Sequence, residues 1–293
     1  MIRFLYSIPV LVFLACLGCD SNTVEVVSPK IEKEQLASAR SGFESKLTSL
    51  GPAPQVYEES NPPRGVKEVE FASGGLILKA WLTAPPDDGN KHPAVVYLHG
   101  GWAFGGRDWQ DAGQFAKAGF VVMMPMLRAE NGNPGNYQGF LGEVDDAIAA
   151  GNYLTKLDFV DPENVFLVGH SVGAVNAALA SMMPSEFKAT AAFSGHMEIR
   201  DWPSTFPSAF IFDVSNEREI SVRNPMEFTH SLQIPINLYV ERDGGPLENN
   251  RVFKRQANMA GRKCDVFEVA GDHMTMVSPA AEKTIKWFES LID

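Results

Sequence analysis

The sequence predicts an α/β fold in which a mostly parallel central sheet carries helices on both faces. Short apolar segments typical of buried strands alternate with stretches of helical periodicity. A strand-to-helix transition at 164–183 also places a serine between two glycines. With 293 residues, 45% of them hydrophobic, the chain is long enough to bury one large core. We therefore expect one main domain.

Residues 1–19 are typical of an export signal. Arg3 precedes IPVLVFLACL, an apolar run too short to span a bilayer with normal flanks. The run ends at Cys19, as in bacterial lipoprotein signals, where the cysteine is lipidated, although Cys16 stands where Leu is usual. We expect export and a lipid anchor in a bacterial cell envelope; a plain signal peptide or an uncleaved anchor is the alternative. Only Cys264 would then remain, so we expect no disulfide in the domain.

Residues 20–65 are polar and contain five prolines at 29, 52, 54, 62 and 63. A short helical pattern runs through KIEKEQLASARSGFESKLTSL, so we predict a tether with one short helix. The alternative is a helix packed on the domain edge. From Val66, two alternating segments separated by Gly74-Gly75 predict an antiparallel hairpin that opens the main domain, which we assign to 66–293.

Five apolar segments after the hairpin predict the parallel strands. They are AVVYLHG (94–100), FVVMMP (120–125), VFLVG (165–169), TAAFSG (190–195) and INLYVE (236–241). Helical patterns at 139–157 and after Ser278 predict two packing helices. On the first of these helices, Asp145 and Asp146 are expected to face solvent.

The segment NVFLVGHSVGAVNAALASMM at 164–183 places Ser171 between a buried strand and an Ala-rich helix. A sharp strand-to-helix turn needs small residues two positions before and after the serine, because side chains there would collide with neighbouring backbone. Gly169 and Gly173 meet this need. Ser171 would project its hydroxyl from the top of the sheet. Because Gly-x-Ser-x-Gly also arises by chance, its meaning depends on partners for the serine.

Partners of Ser171 should follow apolar strands, because catalytic groups collect at the carboxyl ends of parallel strands. Asp243 ends PINLYVERD and precedes a Gly-Gly-Pro turn, so it is the predicted acid; Glu241 and Asp213 are weaker alternatives. In the order serine, acid, histidine, only His273 lies beyond Asp243. His273 would take the proton of Ser171, and Asp243 would orient the imidazole.

An oxyanion hole would complete the site. We expect one donor in the backbone N–H of Val172 and a second in the HGGW turn, where Gly101 fits best and Trp102 is the alternative. The other histidines show no metal-ligand spacing, and the sequence contains no phosphate loop or dinucleotide fingerprint. We therefore expect no metal and no cofactor. A net charge of −11 argues against nucleic acid as a partner.

The motifs HGGW, GHSVG, VERD and GDHM together resemble those of the α/β-hydrolase superfamily. More narrowly, FLGEVDDAIAAGNYLTKLDFVDPENVFLVGHSVG and RNPMEFTHSLQIPINLYVERD are similar to segments of the dienelactone-hydrolase and prolyl-oligopeptidase catalytic-domain group. The resemblance runs from about Val66 to the end. It implies an α/β-hydrolase fold and a serine hydrolase that forms an acyl-enzyme with a small acyl substrate.

The chain also departs from that group. Its peptidases usually carry a large propeller domain, for which we expect no room here, and Ala174 replaces the second Gly common after the elbow. We therefore expect an esterase or related acyl hydrolase. A serine peptidase of the prolyl oligopeptidase type, or a non-catalytic envelope protein that keeps the fold for binding, is the alternative. The stretch 197–223 could form a small lid, with Trp202 and Phe206 as substrate contacts.

Overall fold

The computed structural model describes residues 33–85 and 88–292. The expected signal, with Cys19, and the first part of the expected tether lie outside the described residues. From Glu34 onward the chain forms one compact unit. Among the described residues, no helix combines the length and the apolar character that crossing a membrane requires.

The described residues form an eight-stranded sheet. In chain order, its strands are β1 (Val66–Ser73), β2 (Leu76–Thr83), β3 (His92–Leu98), β4 (Val121–Pro125), β5 (Val160–His170), β6 (Thr190–Phe193), β7 (Ile236–Glu241) and β8 (Cys264–Val269). Their spatial order is β1-β2-β4-β3-β5-β6-β7-β8. Both pairings of β2 are antiparallel, and the pairings from β4 to β8 are parallel. The predicted α/β class with a mostly parallel sheet is confirmed.

Helices cover both faces of the sheet, as predicted. They are α1 (Leu36–Arg40), α2 (Gly106–Lys117), α3 (Gly142–Leu154), α4 (Val172–Ala180), α5 (Trp202–Thr205), α6 (Glu217–Ser221), α7 (Leu247–Met259) and α8 (Val277–Glu289). One apolar cluster joins α3 and α4 to the sheet, and another joins α2 and α8 to it. In the second cluster, the rings of Phe166 and Phe288 stack with centroids 4.2 Å apart.

Burial explains why the central strands are continuous apolar runs. Every residue of β4, β6 and β7 is buried, because helices pack on both faces there. Edge strand β1 instead mixes exposed and buried positions. The parallel strands all end at one edge of the sheet, and the segments that follow β3, β5, β6, β7 and β8 carry the groups described below.

The prediction that α3 turns both aspartates to solvent is wrong for Asp146. Asp145 is exposed, but Asp146 is fully buried and forms an ion pair with Arg128, whose Nε and Nη2 lie 2.9 and 2.8 Å from its carboxylate oxygens. Ser73 at the end of β1 donates to the same carboxylate. Asp146 therefore ties α3 to the hairpin and to the loop after β4.

The described part of the expected tether packs on the domain. Helix α1 is only five residues long, and its Leu36 is fully buried. Arg40 donates from Nη2 to the carbonyl oxygen of Phe140 at 2.7 Å and from Nε to that of Val222 at 2.9 Å. A helix on the domain edge, the alternative left open by the sequence, is what the structure shows. The tether interpretation does not hold for residues 36–40, because Leu36 and Ala39 lie in the domain's core.

Candidate active site

Ser171 occupies the sharp turn between β5 and α4. Its φ of 54° lies in the left-handed region, which a non-glycine residue rarely adopts. A Cβ on Gly169 would collide with the carbonyl of Gly173, and one on Gly173 would collide with the carbonyl of Leu98. The glycines are therefore required by close backbone approach, as expected. The turn lifts the hydroxyl to the carboxyl edge of the sheet.

The structure brings Ser171 and His273 together. His273 lies in the loop between β8 and α8, and its Nε2 is 3.1 Å from Ser171 Oγ. Its side chain is 48% exposed, so the serine–histidine pair faces a solvent-accessible space. Asp272 holds the loop by accepting hydrogen bonds from the backbone N–H groups of Met274 and Thr275.

A second histidine supports this loop. His170, which the sequence analysis did not assign to the site, donates from Nε2 to the carbonyl oxygen of His273 at 3.0 Å. The two ring centroids are 4.9 Å apart. Burial, reinforced by the nearby charge of His273, lowers the pKa of His170 to about 4. His170 is therefore neutral near pH 7 and acts as a fixed donor.

The structure does not place Asp243 beside His273. Asp243 is exposed in the turn after β7, and among the described residues its carboxylate makes no hydrogen bond. Glu241, the weaker alternative, is the last residue of β7 and is 5% exposed, with Oε1 3.4 Å from His273 Nδ1. The strand ends at Glu241, and Asp243 lies two residues further on, in the exposed turn. The predicted position of the acid is thus corrected from Asp243 to Glu241.

Ser194 lies between the imidazole and this carboxylate. It directly follows β6, and its Oγ is 2.6 Å from His273 Nδ1 and 2.7 Å from Glu241 Oε1. Burial alone would raise the pKa of Glu241, but hydrogen bonds from His273 and Ser194 hold it below its usual value. Ser194 was not among the residues predicted from the sequence. Like Ser171, it directly follows an apolar run, and this position at a strand end could have indicated a place in the site.

The HGGW turn provides the other candidate oxyanion donors. The N–H of Trp102 donates to Gln55 Oε1 at 3.0 Å. Gly101 has a φ of 70°, and a Cβ there would lie 2.5 Å from the same Oε1. Position 101 thus needs glycine, and the N–H of Trp102 is already hydrogen-bonded to Gln55. Gly101 and Val172, the first residue of α4, line the same cavity as Ser171.

A buried ion pair holds the HGGW turn from behind. His99 Nε2 is 2.9 Å from Glu130 Oε2, and its Nδ1 is 3.0 Å from the carbonyl oxygen of Gly100. Burial would lower the pKa of His99, but the charge and hydrogen bond of Glu130 raise it to about 9. An imidazolium fits these contacts because both nitrogens face acceptors.

The site opens into a cavity of about 520 Å³. Aromatic rings form much of its wall: Trp102 and Phe206 have centroids 5.5 Å apart, and Phe206 and Trp202 have centroids 5.8 Å apart. The segment expected to form a lid thus contributes two rings beside Ser171. A separate cavity of about 620 Å³, between 51–57 and 129–135, contains neither Ser171 nor His273. No cluster of three potential metal ligands occurs in the described part of the chain.

Comparisons with known proteins agree with this architecture. Residues 110–240 match the prolyl oligopeptidase family model, Peptidase_S9. An uncharacterized peptidase of Bacillus subtilis (strain 168), YtmA, is 32% identical over 115 residues, which are 38% of this chain and 44% of that protein. The chain thus matches less than half the length of this curated relative.

Solved structures extend the likeness to most of the domain. A puromycin-hydrolyzing peptidase of Mycobacterium tuberculosis superposes with a TM-score of 0.67 at 20% identity, covering 77% of this chain and 40% of its own. A Pyrococcus furiosus esterase superposes with a TM-score of 0.65 at 19% identity, covering 82% of this chain and 97% of its own. The chain therefore has the α/β-hydrolase fold, and its residues 110–240 match the prolyl oligopeptidase family model.

Proposed function

We propose that the protein is a serine hydrolase that cleaves an ester or related acyl bond through an acyl-enzyme on Ser171. The observation that carries the proposal is the 3.1 Å approach of His273 Nε2 to Ser171 Oγ on a strained strand-to-helix turn. A hydroxyl is a weak nucleophile at neutral pH, and an adjacent imidazole base is the usual means of activating it. The family match and the hydrolase neighbours support the same reaction class.

The contacts assign one role to each group. Ser171 Oγ attacks the substrate carbonyl carbon while His273 Nε2 takes its proton. The carbonyl oxygen becomes an oxyanion and accepts the N–H groups of Val172 and Gly101. When the tetrahedral intermediate collapses, His273 returns the proton to the leaving group. Water then attacks the carbonyl carbon of the acyl-enzyme while His273 takes a proton from it. Collapse of this second intermediate breaks the bond to Ser171 Oγ, which takes the proton from His273, and the acid is released. Glu241 stabilises the imidazolium in both halves.

The cavity supports an uncharged acyl group. Of the described residues that line it, only Glu241 carries a carboxylate, and that carboxylate lies against Ser194 and His273. No described lining residue is a lysine or arginine. Trp102, Trp202 and Phe206 offer apolar surface beside Ser171. An apolar ester fits this lining better than a charged peptide terminus. A serine peptidase remains the second candidate because the family match and the Bacillus relative favour it.

Active-site labelling tests the proposal. A fluorophosphonate probe should modify Ser171, located by peptide mass spectrometry, and Ser171→Ala should abolish the label. Ser290→Ala, which removes an exposed serine at the end of α8, is the matched control and should label like the wild type. Absence of label on the wild-type protein under conditions that label a control esterase would falsify the reaction class.

A substrate panel separates the two candidates. We expect p-nitrophenyl esters of apolar acids to turn over faster than short peptide p-nitroanilides. Faster turnover of the anilides would reverse the order and establish the peptidase.

We also propose that the chain is exported and lipid-anchored through Cys19. The support is the apolar run that ends at this cysteine. In bacterial cells, labelled palmitate should enter the wild-type protein and be lost in Cys19→Ser. Equal labelling of both proteins would refute the anchor.

A further inference from the structure

We infer that Ser194 is a positioning residue whose hydroxyl links the imidazole of His273 to the carboxylate of Glu241. The inference rests on the proposed function, because it concerns the base that activates Ser171. It adds a fourth residue to the serine, histidine and acid set.

Distances show that the short path runs through the hydroxyl. Ser194 Oγ is 2.6 Å from His273 Nδ1 and 2.7 Å from Glu241 Oε1, whereas Nδ1 and Oε1 are 3.4 Å apart. Charge-assisted N–H···O bonds are normally about 2.7–2.9 Å long. The direct contact between Glu241 and His273 is therefore weak as a hydrogen bond, and the two contacts of Ser194 are strong.

The number of available protons fixes the direction of these bonds. An ionised Glu241 can only accept, so Ser194 gives it the single hydrogen of its hydroxyl. Ser194 Oγ must then accept the hydrogen bond that it shares with His273, so the hydrogen of that bond lies on Nδ1. Nε2 is left without a hydrogen and can accept from Ser171. Ser194 thus selects the tautomer that a general base needs.

The fold holds Ser194 in an unusual conformation. Its φ of 51° is left-handed, where glycine is favoured and other residues cost on the order of 1–3 kcal/mol. Its N–H donates to the carbonyl oxygen of Tyr239 on β7 at 2.8 Å, and the residue is 5% exposed. A side chain at this position strains the backbone, and the two hydrogen bonds of the Ser194 hydroxyl offset that strain.

Loss of this hydroxyl should affect the chemical step. Ser194→Gly suits the left-handed backbone, so we expect the variant to fold. We expect kcat to fall about 10–10²-fold, the loss for a hydrogen bond to a charged group, with KM nearly unchanged. The Ser194 oxygen stabilises the imidazolium more than the neutral ring. Its removal should therefore move the acid limb of kcat/KM to lower pH.

The experiment compares Ser194→Gly with Ser181→Ala. Ser181 is a matched control because it is fully buried and its hydroxyl makes two hydrogen bonds, to Ala177 and Thr190, away from the site. The readouts are the pH dependence of fluorophosphonate labelling, the kcat and KM of an ester substrate, and the ¹⁵N chemical shifts of the His273 ring. We expect all three to change in Ser194→Gly and none to change in Ser181→Ala beyond any loss of folded protein.

A double-mutant cycle with Glu241→Gln completes the test. If both residues act on one imidazole, their losses in kcat are not additive. Labelling of Ser194→Gly at the wild-type rate and with the wild-type pH midpoint would overturn the inference while leaving the hydrolase intact. If the wild type does not label at all, the proposed function fails, and the His273 ring shifts still decide whether Ser194 holds the Nδ1 hydrogen.

Discussion

Two histidine–glutamate pairs lie near the carboxyl edge of the sheet, and they differ in how the histidine is exposed. The His99–Glu130 pair has a direct 2.9 Å contact, and both side chains are at most 3% exposed. In the other pair, His273 is 48% exposed, and its contact with Glu241 measures 3.4 Å. In the closed pair both imidazole nitrogens are occupied by fixed acceptors. In the open pair, Nε2 faces Ser171.

This difference separates a pair of structural residues from the pair for which we propose a role in the chemistry. A buried imidazole between two acceptors is held as a cation and cannot take a proton. An imidazole whose Nε2 carries no hydrogen and faces a hydroxyl at the mouth of a cavity can act as a base. The closed pair supports the open one, because His99 also fixes the turn that carries Gly101.

Replacing each histidine should separate the two roles. We expect His273→Ala to lower kcat about 10⁴–10⁶-fold with a wild-type unfolding midpoint, because the base is lost from an exposed loop. His99→Ala leaves the buried Glu130 unpaired, so it should lower the free energy of unfolding. Ester hydrolysis and urea denaturation measure the two effects. If His99→Ala lost as much kcat per folded molecule as His273→Ala, the closed pair would be part of the chemistry.

Glu130→Gln tests the charge of the closed pair. The charge of Glu130 raises the pKa of His99 in the folded protein to about 9, above the value of 6.5 for an unperturbed histidine. The stability it contributes is therefore fully present below pH 6.5 and is lost as the pH rises through 9. We expect the variant to be less stable by about 3 kcal/mol at pH 6 and the difference to shrink by pH 9.

Urea unfolding at pH 6, 7.5 and 9 measures this dependence. Asp88→Asn, which breaks the exposed contact to His92, is the control and should leave the unfolding curves unchanged. A difference between wild type and Glu130→Gln that stays constant with pH would show that His99 is not held as a cation.

Gln55→Ala, which changes a contact at the exposed end of the HGGW turn, should have the smallest effect on activity. Gln55 accepts the N–H of Trp102, so its carbonyl competes with a substrate for this corner of the site. Its removal should raise kcat/KM about threefold and leave the unfolding free energy unchanged. A tenfold fall in kcat/KM would instead show that Gln55 contacts the substrate.

Sequence patterns were sufficient for the fold and for two residues that the structure brings together, Ser171 and His273. Continuous apolar runs identified five of the six parallel strands, and close backbone approach at Gly169 and Gly173 identified the turn of Ser171. The apolar runs missed β8, whose residues are partly exposed. The choice between Glu241 and Asp243 depended on which residue ends β7. Strand β7 is buried on both faces, so it shows no alternation from which the direction of a side chain could be read.

The burial of Asp146 and the role of Ser194 depended on contacts far apart in sequence. Asp146 is buried because Arg128 and Ser73 reach it from other elements. Ser194 meets His273 and Glu241 only because β6 and β7 pair in parallel and the loop after β8 folds back over them. Local periodicity carries no signal for such contacts.

The most direct test of the site is the rate at which a fluorophosphonate inactivates Glu241→Gln and Asp243→Asn, measured side by side at pH 7.5. Loss of an orienting carboxylate in a serine–histidine site lowers the rate about 10⁴-fold in the best-studied case. We predict a loss of about 10³–10⁴-fold for Glu241→Gln and less than about threefold for Asp243→Asn. A large loss in Asp243→Asn, with Glu241→Gln close to wild type, would contradict the site described here.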